Sequence, residues 1–437
     1  MTQHSDQIFI SRLNQHPQLR KRVETLLNVV ENKAGDCTTA DDAEQYVIEE
    51  LRKMGNDALH CWADKAIDKA TVNFREQNPM HHCDGKKKVQ WHTTYGLIMV
   101  MEQVFCHLGK KFRPFIQSAK ITSHYYSMPL QRVMTDFGAD HAFGQVPKKL
   151  QEHYGITAPV SSIRKTTLSH GEKMQQEKVN ATLPSVNKNG CLQQIGEIDG
   201  CMLPIVTMGS AEGDKRKQKK SLHWKEACLA LVHEQGSVNP KFDATFGGSV
   251  DDAGQALLNC AVAAGFGTQT KLHGVSDGAL WIRNQVTRQF GTQASYLVDF
   301  YHVCEYIAAA SKTCDPDNHR VWAKQQETLL KNNDFLVVIK NLKPYLEANE
   351  IDDNKAPVRA CHRYLSNRTD QLDYKNAIEK GLPIGSGEIE SAHRYVIQKR
   401  LKLSGAWWIA ANIEPMLTLR VVRANDDWDK YWDAVAA

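Results

Sequence analysis

The hydrophobic pattern predicts a helical start to the chain, followed by one short extended region. Apolar residues recur at helical spacing up to about residue 80, for example at Leu51, Met54 and Leu59, which predicts a helical N-terminal region over 1–80. The pair Asn78-Pro79 ends this spacing. The β-branched and aromatic residues over 92–105 then predict a small strand-containing, finger-like element over 81–115.

Helical spacing returns after residue 114 and predicts three helices in a row. The second, over 142–154, stops at Gly155, and the third, over 160–172, carries Arg164 and Lys165. A helix, a short turn and a basic helix are typical of a helix-turn-helix, so residues 116–180 are predicted to bind DNA through Arg164 and Lys165. The alternative is an ordinary three-helix packing unit. The polar, aperiodic residues 173–190 predict a linker.

Beyond the linker the pattern alternates between strands and helices. Strands are predicted over 192–199, 202–208, 225–234, 271–276 and 296–300, and helices over 250–264, 301–310, about 320–380, 389–403 and up to about residue 424. This order predicts an α/β fold of the RNase H-like type, interrupted by an all-helical insertion. The first part of the core covers 188–310, the insertion covers 311–380, and the acid-bearing helix and last helix cover 381–425.

Composition narrows the class of protein. A chain of 437 residues predicts two to four domains. Its longest nearly apolar run, over 96–105, is interrupted by Glu102, so no membrane span is expected. The N-terminus lacks the basic start and apolar middle of a secretory signal, which indicates a soluble, cytoplasmic protein.

The eleven cysteines include no C-x2-C or C-x4-C pair, so zinc is not expected. Histidines at 81, 82, 92 and 107 near Cys83 and Cys106 leave a metal site open as the alternative.

Three carboxylates stand at places where they can meet. Asp199 and Asp277 each end a predicted strand just before a glycine, and Glu390 begins a predicted helix, with Glu388 as its rival. Two Mg²⁺ ions (or Mn²⁺) held by such oxygens can promote in-line phosphodiester chemistry. Taken singly, each acid also has a structural interpretation: Asp-Gly is common in turns, and an acid at a helix start favours the helix dipole.

These residues resemble the DDE transposases of bacterial insertion sequences, and most closely the ISKra-type group related to the Mutator-like superfamily. The resemblance covers about residues 90–425. It rests on GEIDG at Asp199, VSDGA-x-WI at Asp277, Asp299-Phe-Tyr-His302, and the GSGEIES to WW stretch over 385–408. It implies that Asp199, Asp277 and Glu390 hold the metal ions and act as catalytic residues, together with His302. A satisfied core histidine is the alternative for His302.

Positively charged residues cluster near the predicted helix-turn-helix and near the predicted active site. Beyond Arg164 and Lys165, the candidates for DNA binding are Lys215, Arg216, Lys217, Arg394, Lys399, Arg400, Lys402 and Trp407. Solvated surface is the alternative for the basic residues, and core packing is the alternative for Trp407.

The expected function is that of a transposase, an enzyme that binds the ends of an insertion sequence and carries out Mg²⁺-dependent hydrolysis and strand transfer. Its partners would be double-stranded DNA at the transposon ends and at the target, with no membrane. The reaction implies a homodimer or higher oligomer, associated with the bacterial nucleoid. A catalytically silent DNA-binding relative, and a nuclease or resolvase on the same fold, are the alternatives.

Overall fold

The computed structural model describes residues 2–436 apart from 32, 34, 36, 122–124, 181–188 and 210–218. The chain divides into two compact units, Met1–Thr167 and Leu168–Val435. In the described residues, no helix is both long enough and apolar enough to cross a membrane.

The first unit combines helices with a three-stranded antiparallel sheet. Its helices are α1 (Thr2–Asn14), α2 (Pro17–Val30), α3 (Ala40–Gln77), α4 (Pro114–Ser118), α5 (Met128–Asp140), α6 (Val146–Tyr154) and the start of α7 (Val160–Asn180). Its strands are β1 (His82–Thr93), β2 (Gly96–His107) and β3 (Lys110–Phe112), in the order β1-β2-β3. Buried residues of α3, β1, β2 and α4 form one apolar cluster, and α5, α6 and the start of α7 contribute to a second. Helices thus precede the three strands, which all lie between His82 and Phe112.

The second unit is built on a five-stranded mixed sheet. Its strands are β4 (Gln193–Met208), β5 (Lys220–Glu234), β6 (Lys241–Phe246), β7 (Lys271–Ser276) and β8 (Ala294–Val298), arranged in the order β6-β5-β4-β7-β8. The first three strands pair antiparallel, whereas β4 with β7 and β7 with β8 pair parallel. The helices between the strands are α8 (Val250–Ala263) and α9 (Leu280–Phe290). The unit is an α/β structure, as predicted.

Helices fill the rest of the second unit. They are α10 (Phe300–Cys314), α11 (His319–Lys331), α12 (Phe335–Leu342), α13 (Pro357–Ser366), α14 (Tyr374–Glu379), α15 (Gly387–Ala392), a π-helical segment (His393–Gln398), α16 (Lys399–Leu401), α17 (Ile413–Ala424) and α18 (Trp428–Ala436). Short 3₁₀ turns lie at Gly291–Gln293, Lys343–Tyr345, Asp353–Lys355, Thr369–Gln371 and Ala410–Asn412. The all-helical stretch expected between the last strand and the acid-bearing helix is present.

Several boundaries predicted from the sequence are wrong. The strands predicted over 192–199 and 202–208 are one continuous strand, β4, and the edge strand β6 was not predicted. The linker predicted over 173–190 is wrong for residues 173–180, which belong to α7; residues 181–188 lie outside the described residues. The helix predicted over 389–403 changes from α to π geometry at His393.

The two faces of β4 serve different purposes because successive side chains of a strand point to opposite sides. Ile198 packs with Leu257 of α8 and Leu272 of β7 in a buried apolar cluster. Its neighbours Glu197 and Asp199 therefore point to the other face, where α15 lies against the strand. A second apolar cluster joins β8 and α10 to the helical insertion.

A buried histidine ties the C-terminal half of α7 to α18 and should make the stability of the second unit depend on pH. His170 is 2% exposed, and its Nδ1 lies 2.7 Å from the Tyr431 hydroxyl. Burial, together with a smaller contribution from the Lys173 charge, lowers its pKa from 6.5 to about 4. The imidazole is therefore neutral in the folded protein while it is protonated in the unfolded chain below pH 6.5.

We predict that the free energy of unfolding falls by up to about 3 kcal/mol from this group as the pH drops from 6.5 to 4. Urea unfolding at a series of pH values, on the wild type and on His170→Gln, measures the contribution. The variant should show the shallower pH dependence, and equal slopes for the two proteins would contradict the prediction.

Candidate active site

The parallel pairing of β4 and β7 brings two of the predicted acids side by side. Glu197 of β4 is in register with Val275 of β7. Continuing that register by two residues places Asp199 of β4 beside Asp277, which is the first residue after β7. The structure therefore brings together two residues that lie far apart in the sequence.

The turn that carries Asp277 is held by residues of the helical insertion. Gly278 has a φ of +83°, which a residue with a side chain rarely adopts. Around it, the Tyr364 hydroxyl donates a hydrogen bond to the Asp277 carbonyl at 2.6 Å, and Arg368 Nε donates to the Gly278 carbonyl at 2.9 Å. The sequence pattern did not indicate Tyr364 and Arg368, because their role depends on contacts between distant segments.

The environment of Asp199 opposes its negative charge. Burial raises the pKa of the Asp199 carboxyl, and the neighbouring charge of Asp277 raises it further. The Gly200 N–H, which donates to Asp199 Oδ1 at 2.7 Å, and the charge of His302 act in the opposite direction. Asp199, Asp277 and His302 thus lie within electrostatic range of one another.

The third predicted acid is on a helix that is attached to β4. Glu390 lies in the first turn of α15 and is exposed. On either side of it, the Ile389 N–H donates to Glu197 Oε2 at 2.8 Å, and His393 Nε2 lies 3.4 Å from Asp199 Oδ2. The rival acid Glu388 is paired with His233 of β5 at 3.0 Å. Within the described chain, no hydrogen bond or ion pair holds the Glu390 carboxylate, so Glu390 is the more available of the two.

Two buried groups that the sequence analysis did not single out complete this region. The pKa of Glu197 is raised to about 8, mainly by burial. The Ile389 N–H acts against this rise, and nearby carboxylates, including that of Glu390, contribute to it. Burial lowers the pKa of His393 to about 4, so this imidazole is neutral. The period-2 alternation of a strand places Glu197 on the face of Asp199 and was the signal that could have identified it.

The carboxylates of the three predicted acids are suitable ligands for a divalent cation, but their side chains do not converge on one point. Carboxylate oxygens are the ligands that Mg²⁺ prefers. Among the residues that the structure describes, however, no group of three or more His, Cys, Asp or Glu side chains is arranged to hold a metal ion. Local hydrogen bonds contribute to this, since Asp277 Oδ1 accepts from the Ala279 N–H at 2.9 Å while Asp199 Oδ1 accepts from Gly200.

Asp299 has a structural role. It is 4% exposed and caps α10 through hydrogen bonds from the Tyr301 and His302 N–H groups to Oδ1. Its Oδ2 accepts from both the N–H and the hydroxyl of Ser386, just before α15. His302 lies with its Nδ1 3.6 Å from Glu305 Oε2 and its ring near those of Tyr306 and Tyr364.

The predicted DNA-binding residues fall into three groups. Arg164, Lys165, Arg394, Lys399, Lys402 and Trp407 are exposed. Lys215, Arg216 and Lys217 lie outside the described residues. The prediction that Arg400 contacts DNA is wrong. Arg400 is 2% exposed, and its guanidinium packs over the Trp408 ring at 4.8 Å, so the side chain lies in the interior.

Comparison with known proteins adds little to this geometry. No protein-family model matches the sequence, and no curated protein does. Among solved structures, the chain is similar to the Drosophila P element transposase strand transfer complex at 9% identity. The alignment covers 73% of this chain and 83% of that chain, with a TM-score of 0.25.

Asp299 should be important for stability because four hydrogen-bond donors converge on its buried carboxylate. We predict that Asp299→Ala lowers the free energy of unfolding by about 2–4 kcal/mol, through loss of a helix cap and the stranding of buried donors. Urea unfolding measures this. The exposed Asp317→Ala is the matched control and should change stability by less than about 0.5 kcal/mol. Equal stability of the two variants would be evidence against this role.

Proposed function

We propose that this chain is a DDE-type DNA transposase that nicks and joins DNA with divalent cations. The observation that carries the proposal is the placement of Asp199 on β4 and of Asp277 directly after the adjacent parallel strand β7, with the helix of Glu390 in contact with β4. The sequence resemblance to DDE transposases of bacterial insertion sequences, of the ISKra-type group, names these same three residues. The strand order supports an RNase H-like core interrupted by a helical insertion.

In this proposal Asp199, Asp277 and Glu390 hold two Mg²⁺ or Mn²⁺ ions. Bound ions of this kind activate a water or a 3′-hydroxyl and stabilise the leaving oxygen of a phosphodiester. Other residues of the chain position the acids and the reactants. Tyr364 and Arg368 hold the turn of Asp277, and His302 would orient a water or a phosphate near Asp199. Asp277 and Glu390 would have to turn from their present conformations to complete the set.

DNA binding is assigned to the exposed basic residues. Helices α6 and α7 are separated by a short turn at Gly155, whose φ of +65° ends α6, and the arrangement supports a helix-turn-helix reader. Arg164 and Lys165 on α7 would contact the element ends, and Arg394, Lys399, Lys402 and Trp407 would contact DNA near the acids. Joining two ends implies at least a dimer on DNA. Affinity should fall steeply with salt if several phosphates are contacted.

One observation favours the second candidate function, a catalytically silent DNA-binding relative. The acids are not assembled for metal binding in the described part of the chain. A silent relative would bind the same DNA with the same salt dependence but would leave the strands intact.

A strand-transfer assay separates the candidates. A duplex with the element's own end sequences, a plasmid target and Mg²⁺ or Mn²⁺ should give joined product with the wild type. We predict that Asp277→Asn and Glu390→Gln each lower product formation by about 100-fold or more, because each removes a carboxylate that would hold a cation at the reacting phosphate. Glu388→Gln is the matched control on α15 and should retain activity.

The outcome also distinguishes the rival enzyme class. Cutting without joining would indicate a nuclease or resolvase, and equal product from the wild type and Asp277→Asn would refute the mechanism. Mg²⁺ should also raise the melting temperature of the wild type more than that of Asp277→Asn, since a ligand that binds only the folded state stabilises it.

A further inference from the structure

Glu197 is a buried carboxyl with no place in the proposed chemistry. Its side chain is 1% exposed and lies on the same face of β4 as Asp199, two residues away. Burying a carboxyl is costly unless it makes a compensating contact. Its Oε1 has no hydrogen-bond partner among the described residues, so the cost is offset through Oε2.

The contact of Oε2 is with the start of the acid-bearing helix. The first N–H groups of any helix have no partner within the helix and need one from outside. At α15 the usual residue for this, Ser386, makes no side-chain cap, because its hydroxyl is used on Asp299. Glu197 Oε2 instead accepts from the Ile389 N–H at 2.8 Å, from a different part of the chain. Glu197 therefore caps α15 from the sheet.

This cap determines where Glu390 stands. Ile389 is 1% exposed and directly precedes Glu390, so fixing its N–H against β4 fixes the backbone of the third acid relative to the first. One turn later, His393 Nε2 lies 3.4 Å from Asp199 Oδ2, so the chain is close to β4 on both sides of Glu390.

We propose that Glu197 is a positioning residue that holds Glu390 in place relative to Asp199 through the Ile389 N–H. It acts as a hydrogen-bond acceptor, and neither a negative charge nor metal binding is required of it. The catalytic consequence rests on the proposed function, whereas the structural claim does not.

The test compares an acceptor with a non-acceptor of similar size at this position. Glu197→Gln keeps an oxygen for the Ile389 N–H, whereas Glu197→Met removes it. Hydrogen exchange in the full chain should show the Ile389 amide exchanging about 10-fold faster in Glu197→Met and within about 3-fold of wild type in Glu197→Gln. The exposed Glu234→Leu, at the end of β5, is the control and should leave this amide unchanged.

Activity provides the second measurement. In the strand-transfer assay, Glu197→Met should lower kcat by about 100-fold with KM for the DNA nearly unchanged, because the acid is misplaced while DNA binding is intact. Glu197→Gln should retain most of the wild-type kcat, and this rescue is not expected of a metal ligand. Thermal unfolding checks that Glu197→Met folds, and Glu197→Leu replaces it if it does not.

Two results would overturn the proposal. If the Ile389 amide exchanges at the wild-type rate in Glu197→Met, or in Glu197→Leu where that variant is used instead, the contact does not hold the start of α15. Loss of activity in Glu197→Gln as large as in Glu197→Met would show that the carboxylate charge itself is needed. If the wild type proves inactive, the proposed function fails, and the exchange measurement alone still decides the role of Glu197.

Discussion

The parallel register between β4 and β7 is the constraint on which the candidate site depends. A shift of one residue would turn Asp199 to the face of α8 and place an apolar side chain beside Asp277. The register is fixed because Ile198 and Leu272 must both lie in the apolar cluster under the sheet. Burial of apolar side chains on one face thus places two carboxyls together on the other, despite their repulsion. Burial raises the pKa of the Asp199 carboxyl, and the charge of Asp277 beside it adds to the rise.

The sequence predicted elements well where the hydrophobic period was unbroken. Strand β7 and helix α8 were predicted almost to the residue, because each is a short apolar or amphipathic run between clear turn signals. The long strand β4 was divided after residue 199, because Gly200 is a residue that weakens strands. Pro204, which is also uncommon inside a sheet, lies within the continuous strand. Here Val206 donates to the Trp408 carbonyl and Pro204 accepts from the Trp408 N–H, so this edge of β4 faces residue 408. The missing N–H of Pro204 therefore costs no bond with β5, a fact that only the tertiary structure contains.

The candidate site was predictable in its acids but not in its supports. Asp199 and Asp277 each carried a local signal, an acid at a strand end before glycine, whereas Tyr364, Arg368 and His393 carried none. Their roles follow from contacts between segments far apart in the sequence, which no period or motif records. Arg400 shows the opposite error: a basic residue in a basic run was expected to face DNA, but the Trp408 ring provides it with a buried partner.

The three acids differ in the hydrogen bonds that hold them. They therefore differ in how much each side chain would have to change in order to bind a metal ion. Glu390 is exposed, so turning it inward costs mainly rotamer entropy. Asp199 uses Oδ1 for the Gly200 N–H and still has Oδ2 facing the neutral His393. Asp277 would have to surrender the Ala279 N–H or share that oxygen, in a turn held by Tyr364 and Arg368. Because Tyr364 and Arg368 hold the carbonyls of that turn, the Asp277 side chain can give up its hydrogen bond from the Ala279 N–H and reorient without moving the backbone. The side chains can therefore assemble into the proposed site when a cation offsets the repulsion between Asp199 and Asp277.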